Sequence, residues 1–188
     1  LGERETLARI LPLLPGSARL TVGPGDDSAV LELETTELVT SCDMMIEGPD
    51  FRRDWSSPDQ IGHKAMTSNL ADIAAMGAVP VGVILAVAAP PETPVQDLVG
   101  LARGVAQGLS DMAPDAGVLG GDLSTSSVLT LSVTVLGDMQ GRTPVRRSGA
   151  RVGDVVAASG ELGRSQRGYL LLETSTSDAG GILPAEAR

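Results

Sequence analysis

The spacing of apolar and polar positions divides the chain into short elements of two periods. From Glu3 to Leu14, apolar residues recur at Leu7, Ile10, Leu11 and Leu14, the stripe of one helix face, and Pro12 predicts that this helix ends early or bends. "SAVLELE" and "ELVTSC" follow as short strand-like stretches across a polar turn and predict a hairpin. "VPVGVILAVAAP" is a continuous Val-rich run, the signature of a buried strand. "VLTLSVTVLGD" alternates more and predicts a second long strand with one partly polar face. "AGVLGGD" reads as a short strand ended by a glycine turn, and "GDVVAASG" as another strand.

Two helix starts follow one rule. Ser57-Pro58 has Gln60 three residues after the cap, and Thr93-Pro94 has Gln96 likewise, which predicts helices over 57–76 and 94–112. The resulting order of strands and helices predicts an α/β or α+β fold, a mixed β-sheet with helices over one face. From about Glu173, "ETSTSDAGGILPAEAR" turns polar and glycine-rich and reads as a linker or a domain boundary.

Composition narrows what such a fold can do. The 188 residues suffice for one well-cored domain, or one domain and part of another. Only Phe51, Trp55 and Tyr169 are aromatic against 23 glycines, so the core must be built from Val, Leu, Ile, Ala and Met. The formal charge is −10, from 24 acidic and 14 basic residues, and no Lys/Arg stripe offers a nucleic-acid face. An acidic protein that handles phosphates needs metal ions as intermediaries. A single cysteine, Cys42, fits a reducing cytoplasm, and no apolar run is long enough for a membrane span. The chain begins at Leu1 rather than Met, as a trimmed gene product would.

Aspartates recur where strands are expected to end. Asp26 and Asp27 follow Gly23-Pro24-Gly25, Asp43 follows "TSC", and Asp122 follows Gly120-Gly121. Asp72 lies inside the first long predicted helix, in "NLADIAAMG". An aspartate after glycine can be a turn former and nothing more. Asp72 resists that reading, because an aspartate among Ala71, Ala74 and Ala75 has poor helix propensity, and Ser68 and Asn69 share its face.

If these carboxylates converge, they repel one another by on the order of 4 kcal/mol per pair at 4 Å and an effective dielectric of about 20. Divalent cations remove that penalty. Hard oxygens without a histidine or thiolate set favour Mg²⁺ over Zn²⁺, and Mg²⁺ shares its shell with phosphates. No P-loop, dinucleotide fingerprint or G-x-S-x-G elbow is present. Cys42 and His63 read as a strand-end thiol and a helix-surface imidazole rather than a catalytic dyad. Arg146-Arg147 is a basic turn in an acidic chain, either solvated or an anion clamp.

Taken together and in order, "GPGDDSAV", "TSCDMMIEGPDF", "GHKAMTSNLADIAAMGAVP", "GVLGGDLS" and "GRTPVRRSGARVGDVVAASGELGRS" resemble the amino-terminal half of the bacterial thiamine-monophosphate kinase family. That family belongs to a superfamily with aminoimidazole ribonucleotide synthetase, selenophosphate synthetase and a hydrogenase maturation protein. The resemblance covers residues 1 to 172. It implies ATP-dependent phosphorylation of thiamine monophosphate to thiamine diphosphate, supported by several Mg²⁺ ions. By that resemblance Asp27, Ser41, Cys42, Asp43, Asp72 and Asp122 would hold the metals. Gly121, Asp122 and Arg147 would contact ATP, and Asp50 the thiamine substrate. Two positions depart from the family pattern. "GPDF" stands where the family often has "G-x-H-F". Cys42 stands where many relatives have threonine, a swap of little consequence if a backbone carbonyl is the ligand.

The acceptor in this reaction is itself a phosphate, largely ionised near pH 7 because its second pKa is about 6, so no general base is required. The resemblance also implies a homodimer whose sheets join in a barrel. Residues 1–150 would be the ATP- and Mg²⁺-binding and dimerisation domain, and 151–188 a linker or the start of a second domain whose remainder this chain lacks. Two readings compete with it: another ATP-dependent member of the superfamily, and a dimerisation fragment without activity.

Overall fold

The computed structural model describes residues 2–24, 28–34 and 37–177. The first helix, α1 (Glu3–Ile10), ends two residues before Pro12 and continues as a tight 3-10 turn, Leu11–Leu13. Proline lacks the N–H that another α-helical turn would need. Two short strands, β1 (Leu20–Val22) and β2 (Val30–Leu31), pair antiparallel with each other. The main sheet is built from β3 (Leu38–Ile46), β4 (Val79–Ala89), β5 (Gly117–Thr125) and β6 (Thr130–Asp138) in the order β3-β6-β4-β5.

The expected hairpin is therefore not formed. β2 belongs to the small sheet, and β3 runs antiparallel to β6 from Leu38↔Asp138 to Ile46↔Thr130. Apolar alternation fixes which face a strand buries but not which strand it pairs with. β4 is parallel to β5 and antiparallel to β6, so β3, β4 and β5 share one direction and β6 is inserted between the first two.

Two helices make the crossovers. α2 (Pro58–Ala75) connects β3 to β4, and α3 (Val95–Met112) connects β4 to β5. α2 starts with the expected capping box: the Ser57 hydroxyl accepts from Gln60 N–H and the Gln60 side chain accepts from Ser57 N–H. It ends at Gly77, whose φ of +79° suits glycine alone. α3 begins within a residue of its expected place but without that box. Its cap is Pro94, no side chain accepts a cap bond, and the buried Thr93 hydroxyl finds no partner.

Both long helices cover one face of the sheet, as expected. Ile61, Met66 and Ile73 of α2 and Leu101, Val105 and Leu109 of α3 bury against Val83, Leu131, Val133 and Val135. The helices touch through glycine. A Cβ on Gly104 would lie 1.9 Å from the Asp59 carbonyl oxygen, and one on Gly62 2.2 Å from that of Leu101. The opposite face of the sheet, with Leu38, Met44 and Ile84, is exposed.

Other expectations are corrected. β5 does not stop at its glycines but runs through Gly120 and Gly121 to Thr125. Gly121 is needed for close approach, since a Cβ there would sit 1.8 Å from the Leu85 carbonyl oxygen. "GDVVAASG" is an exposed coil rather than a strand, and it pairs with no strand among the described residues. The chain from Glu173 is not a linker throughout: α4 (Arg164–Ser177) carries it onward as helix. No helix among the described residues is long and apolar enough to cross a membrane.

Candidate functional site

Alternation along β3 sends Ser41 and Asp43 toward α2 and Cys42 the other way. Ser41 Oγ donates to Asp72 Oδ2 at 2.9 Å, and Asp43 N–H donates to Asn69 Oδ1 at 3.2 Å. Asn69 and Asp72 lie three residues apart on one face of α2, so strand and helix are clasped at two points. Both carboxylates are exposed, and Asn69 between them is fully buried. Three of the expected residues, Ser41, Asp43 and Asp72, thus meet at one edge of the sheet. Asp43 and Asp122 stand within strands rather than at turns, which corrects the turn reading.

Cys42 does not share this group. Its thiol is on the exposed face, where Thr134 Oγ1 donates to it at 3.3 Å and Ser132 Oγ lies 3.7 Å away. Its backbone carbonyl remains as the donor it can offer. Asp122 is separate too, on β5 at the other edge of the sheet, accepting from Ser124 Oγ at 2.6 Å. The cross-strand row Asp43–Val133–Leu85–Gly121 runs straight across all four strands, so Asp43 and Gly121 are about 14 Å apart by strand spacing. Among the described residues, no group of three or more His, Cys, Asp or Glu side chains gathers closely enough to hold a metal ion. Asp27 lies outside the described residues.

Gly121 and Asp122 border a cavity of about 330 Å³ between α1, α3 and the sheet, walled by Leu7, Ile10, Leu85, Val87, Leu98 and Leu101. Its apolar walls and open rim suit a flat ring with a polar tail. Arg147 opens a short 3-10 turn, Arg147–Gly149, and lines an open hollow with Arg146 and Asp154. Asp50 has local duties: its carboxylate accepts from Ile46 N–H at 2.8 Å, and its carbonyl accepts from Lys64 Nζ at 2.6 Å.

A cluster in "DFRRDW" has no counterpart in the sequence reading. The Arg52 guanidinium lies 4.3 Å from the Trp55 ring centroid, and Tyr169 of α4 meets Trp55 edge-on at 5.8 Å and 78°. The hydrogen bond from Arg52 holds the Asp54 carboxyl below the usual carboxylate range, and the bond to Glu173 raises the Tyr169 phenol. The scarcity of aromatics was the available signal, but 114 residues separate Trp55 from Tyr169 and no spacing rule connects them.

The family described as "AIR synthase related protein, N-terminal domain" matches residues 25–139. The chain belongs to this family. This AIR synthase related chain is 41% identical over 171 residues to the thiamine-monophosphate kinase of Mycobacterium tuberculosis, an alignment that covers 91% of the chain and 51% of that protein. Among solved structures it resembles the thiamine-monophosphate kinase of Stenotrophomonas maltophilia, with a TM-score of 0.77 at 28% identity, covering 98% of this chain and 56% of that one. It also resembles AaThiL complexed with AMPPCP and TMP, with a TM-score of 0.70 at 31% identity, covering 86% and 50%. The mixed sheet with helices is the fold of these kinases. The chain spans about half the length of the curated relatives it matches.

Proposed function

We propose that this chain is the nucleotide- and metal-binding part of a kinase that transfers the γ-phosphoryl group of ATP onto thiamine monophosphate, giving thiamine diphosphate. The observation that carries the reading is the clasp of β3 on α2, which presents Ser41, Asp43 and Asp72 as hard oxygen donors at one open edge. Relatives named for this activity support it, as does the relative complexed with AMPPCP, an ATP analogue, and TMP.

The donor set fits Mg²⁺, which is commonly held by one or two carboxylates and completes its shell with water and phosphate oxygens. Asp43 and Asp72 would be the anchors, with the Ser41 hydroxyl, the Cys42 carbonyl, Asp27 and Asp122 completing a set that serves several ions. When bound, such ions neutralise the charge on the transferring phosphoryl group. The chain's own contribution is positioning. The cavity beside Gly121 would take the adenine ring, Arg147 would pair with phosphate oxygens, and the Asp50 turn would face the thiamine substrate. An ATP-consuming step of this kind is a cytoplasmic one.

Asp122 and Asp43 lie at opposite edges of one sheet, and neither edge has a further strand partner among the described residues. A homodimer in which β3 of one protomer adjoins β5 of its partner would bring Asp122 of the partner subunit to Asp43, and would cover edges that are otherwise an aggregation hazard. Residues 1–150 would form this unit, and the chain beyond would lead into a second domain. The test is thiamine diphosphate formation from ATP, Mg²⁺ and thiamine monophosphate, by this chain and by any longer gene product that contains it. Turnover that requires Mg²⁺ is expected from the form carrying the complete substrate pocket, and absence of turnover in both overturns the reading. Mixing Asp72→Asn and Asp122→Asn protomers tests the shared site, because activity should return in the mixture only if the two residues act across the interface.

A further inference from the structure

Asn69 is a polar side chain with no exposed surface, buried where α2 meets β3. Burying an amide without partners costs a few kcal/mol, and here both ends are engaged. Its Nδ2 donates to the Ala65 carbonyl at 2.8 Å, and its Oδ1 accepts from Asp43 N–H at 3.2 Å. The first bond stays within the helix and fixes the orientation of the amide. The second leaves the helix for β3, the strand at the edge of the sheet.

Two residues back along β3, Ser41 Oγ donates to Asp72, and Asp72 lies three residues beyond Asn69. We infer that Asn69 is a positioning residue for the cation site: its amide pins the backbone of Asp43 to the turn of α2 that carries Asp72, and so fixes the placement of the two carboxylates before an ion arrives. This rests on the reading of Asp43 and Asp72 as metal ligands. An apolar residue of similar volume could fill the same space, but it could not accept the Asp43 N–H. Hydrogen bonds that orient metal ligands commonly change affinity by about 10- to 100-fold.

The test uses Asn69→Leu in this chain, with Mn²⁺ as the probe, since it takes the oxygen ligands that suit Mg²⁺ and its free ion is counted by electron paramagnetic resonance. The expected result is a folded variant whose Mn²⁺ affinity falls about tenfold and whose Asp43 amide exchanges faster by NMR. Lowered stability in EDTA with unchanged Mn²⁺ affinity would show a packing role only and overturn the inference. Where Asn69→Leu does not fold, Asn69→Ser decides by the same comparison of affinities. Asp72→Asn separates the two levels. If it too binds Mn²⁺ like the wild type, the cation site itself is wrong; if it binds weakly while the Asn69 variants bind normally, the role of Asn69 alone is wrong.

Discussion

Ser41 and Asp72, thirty-one residues apart in the chain, are joined by a hydrogen bond of 2.9 Å that runs from an edge strand to the helix covering it. Asp72→Asn keeps an oxygen for the Ser41 hydroxyl and removes only the charge. Mg²⁺ binding and Mg²⁺-supported turnover should both fall at least about 100-fold, while the urea midpoint stays level or rises slightly, because the repulsion between Asp72 and Asp43 is removed. Calorimetric titration and denaturation of the same sample check this, and unchanged Mg²⁺ binding would refute it.

Gly120 and Gly121 are neighbours with opposite tolerances. Beside Gly121 a Cβ would lie 1.8 Å from the Leu85 carbonyl oxygen, whereas the space beside Gly120 is open. Gly121→Ala should cost about 1–3 kcal/mol or prevent folding, and Gly120→Ala less than about 1 kcal/mol. Urea unfolding of the pair measures the contrast, and equal stabilities would show that β4 and β5 are not so tightly apposed.

Asp138 has no exposed surface, yet it carries an ion pair with Arg19 at 2.8 Å and accepts the backbone N–H groups of Glu34 and Gln140. It fastens the segment before β3 to the end of β6. Asp138→Ala leaves a mostly buried guanidinium and two N–H groups without this acceptor, and should cost about 3–5 kcal/mol. A loss below about 1 kcal/mol in chemical denaturation would contradict that arrangement.

The Asp54 carboxyl is held below its ordinary value by the hydrogen bond from Arg52. A depressed carboxylate pKa means that the folded state binds its proton less readily than the unfolded state does. The stabilising contribution is therefore present above the ordinary carboxylate value and fades as pH falls from there through the folded-state value. Both side chains are well exposed, so the energy is small and the titration itself is the better observable. Carbon-detected NMR should give Asp54 a midpoint below the ordinary carboxylate value, and Arg52→Met should return it toward that value. A midpoint that Arg52→Met leaves unmoved would contradict the pairing.

Much of the fold was legible in sequence because its signals are local. The Ser57 capping box and Gly77 bound α2 to within a residue of its expected span, and the alternation of "VLTLSVTVLGD" matches the buried and half-buried positions of β6. Errors arose where a local signal has two physical causes. Glycine serves turns and close approaches alike, so Gly120-Gly121 read as a turn when β5 passes straight through. Thr93-Pro94-Val95-Gln96 has the spacing of a capping box, but the helix starts one residue later and Pro94 takes the cap.

The sequence by itself determined much of the inventory: where α2 and α3 run, which positions of β6 are buried, and which hard-oxygen side chains could serve a cation. Periodicity and capping act over a few residues, and the chain states them directly. Only the tertiary structure decided partnership. It paired β3 with β6 instead of β2, turned the Cys42 thiol away from Ser41 and Asp43, joined those two residues to Asp72 and Asn69, and set Asp122 at the far edge of the sheet. Such choices depend on strand register and on burial summed over the whole core, quantities that no short stretch of sequence contains.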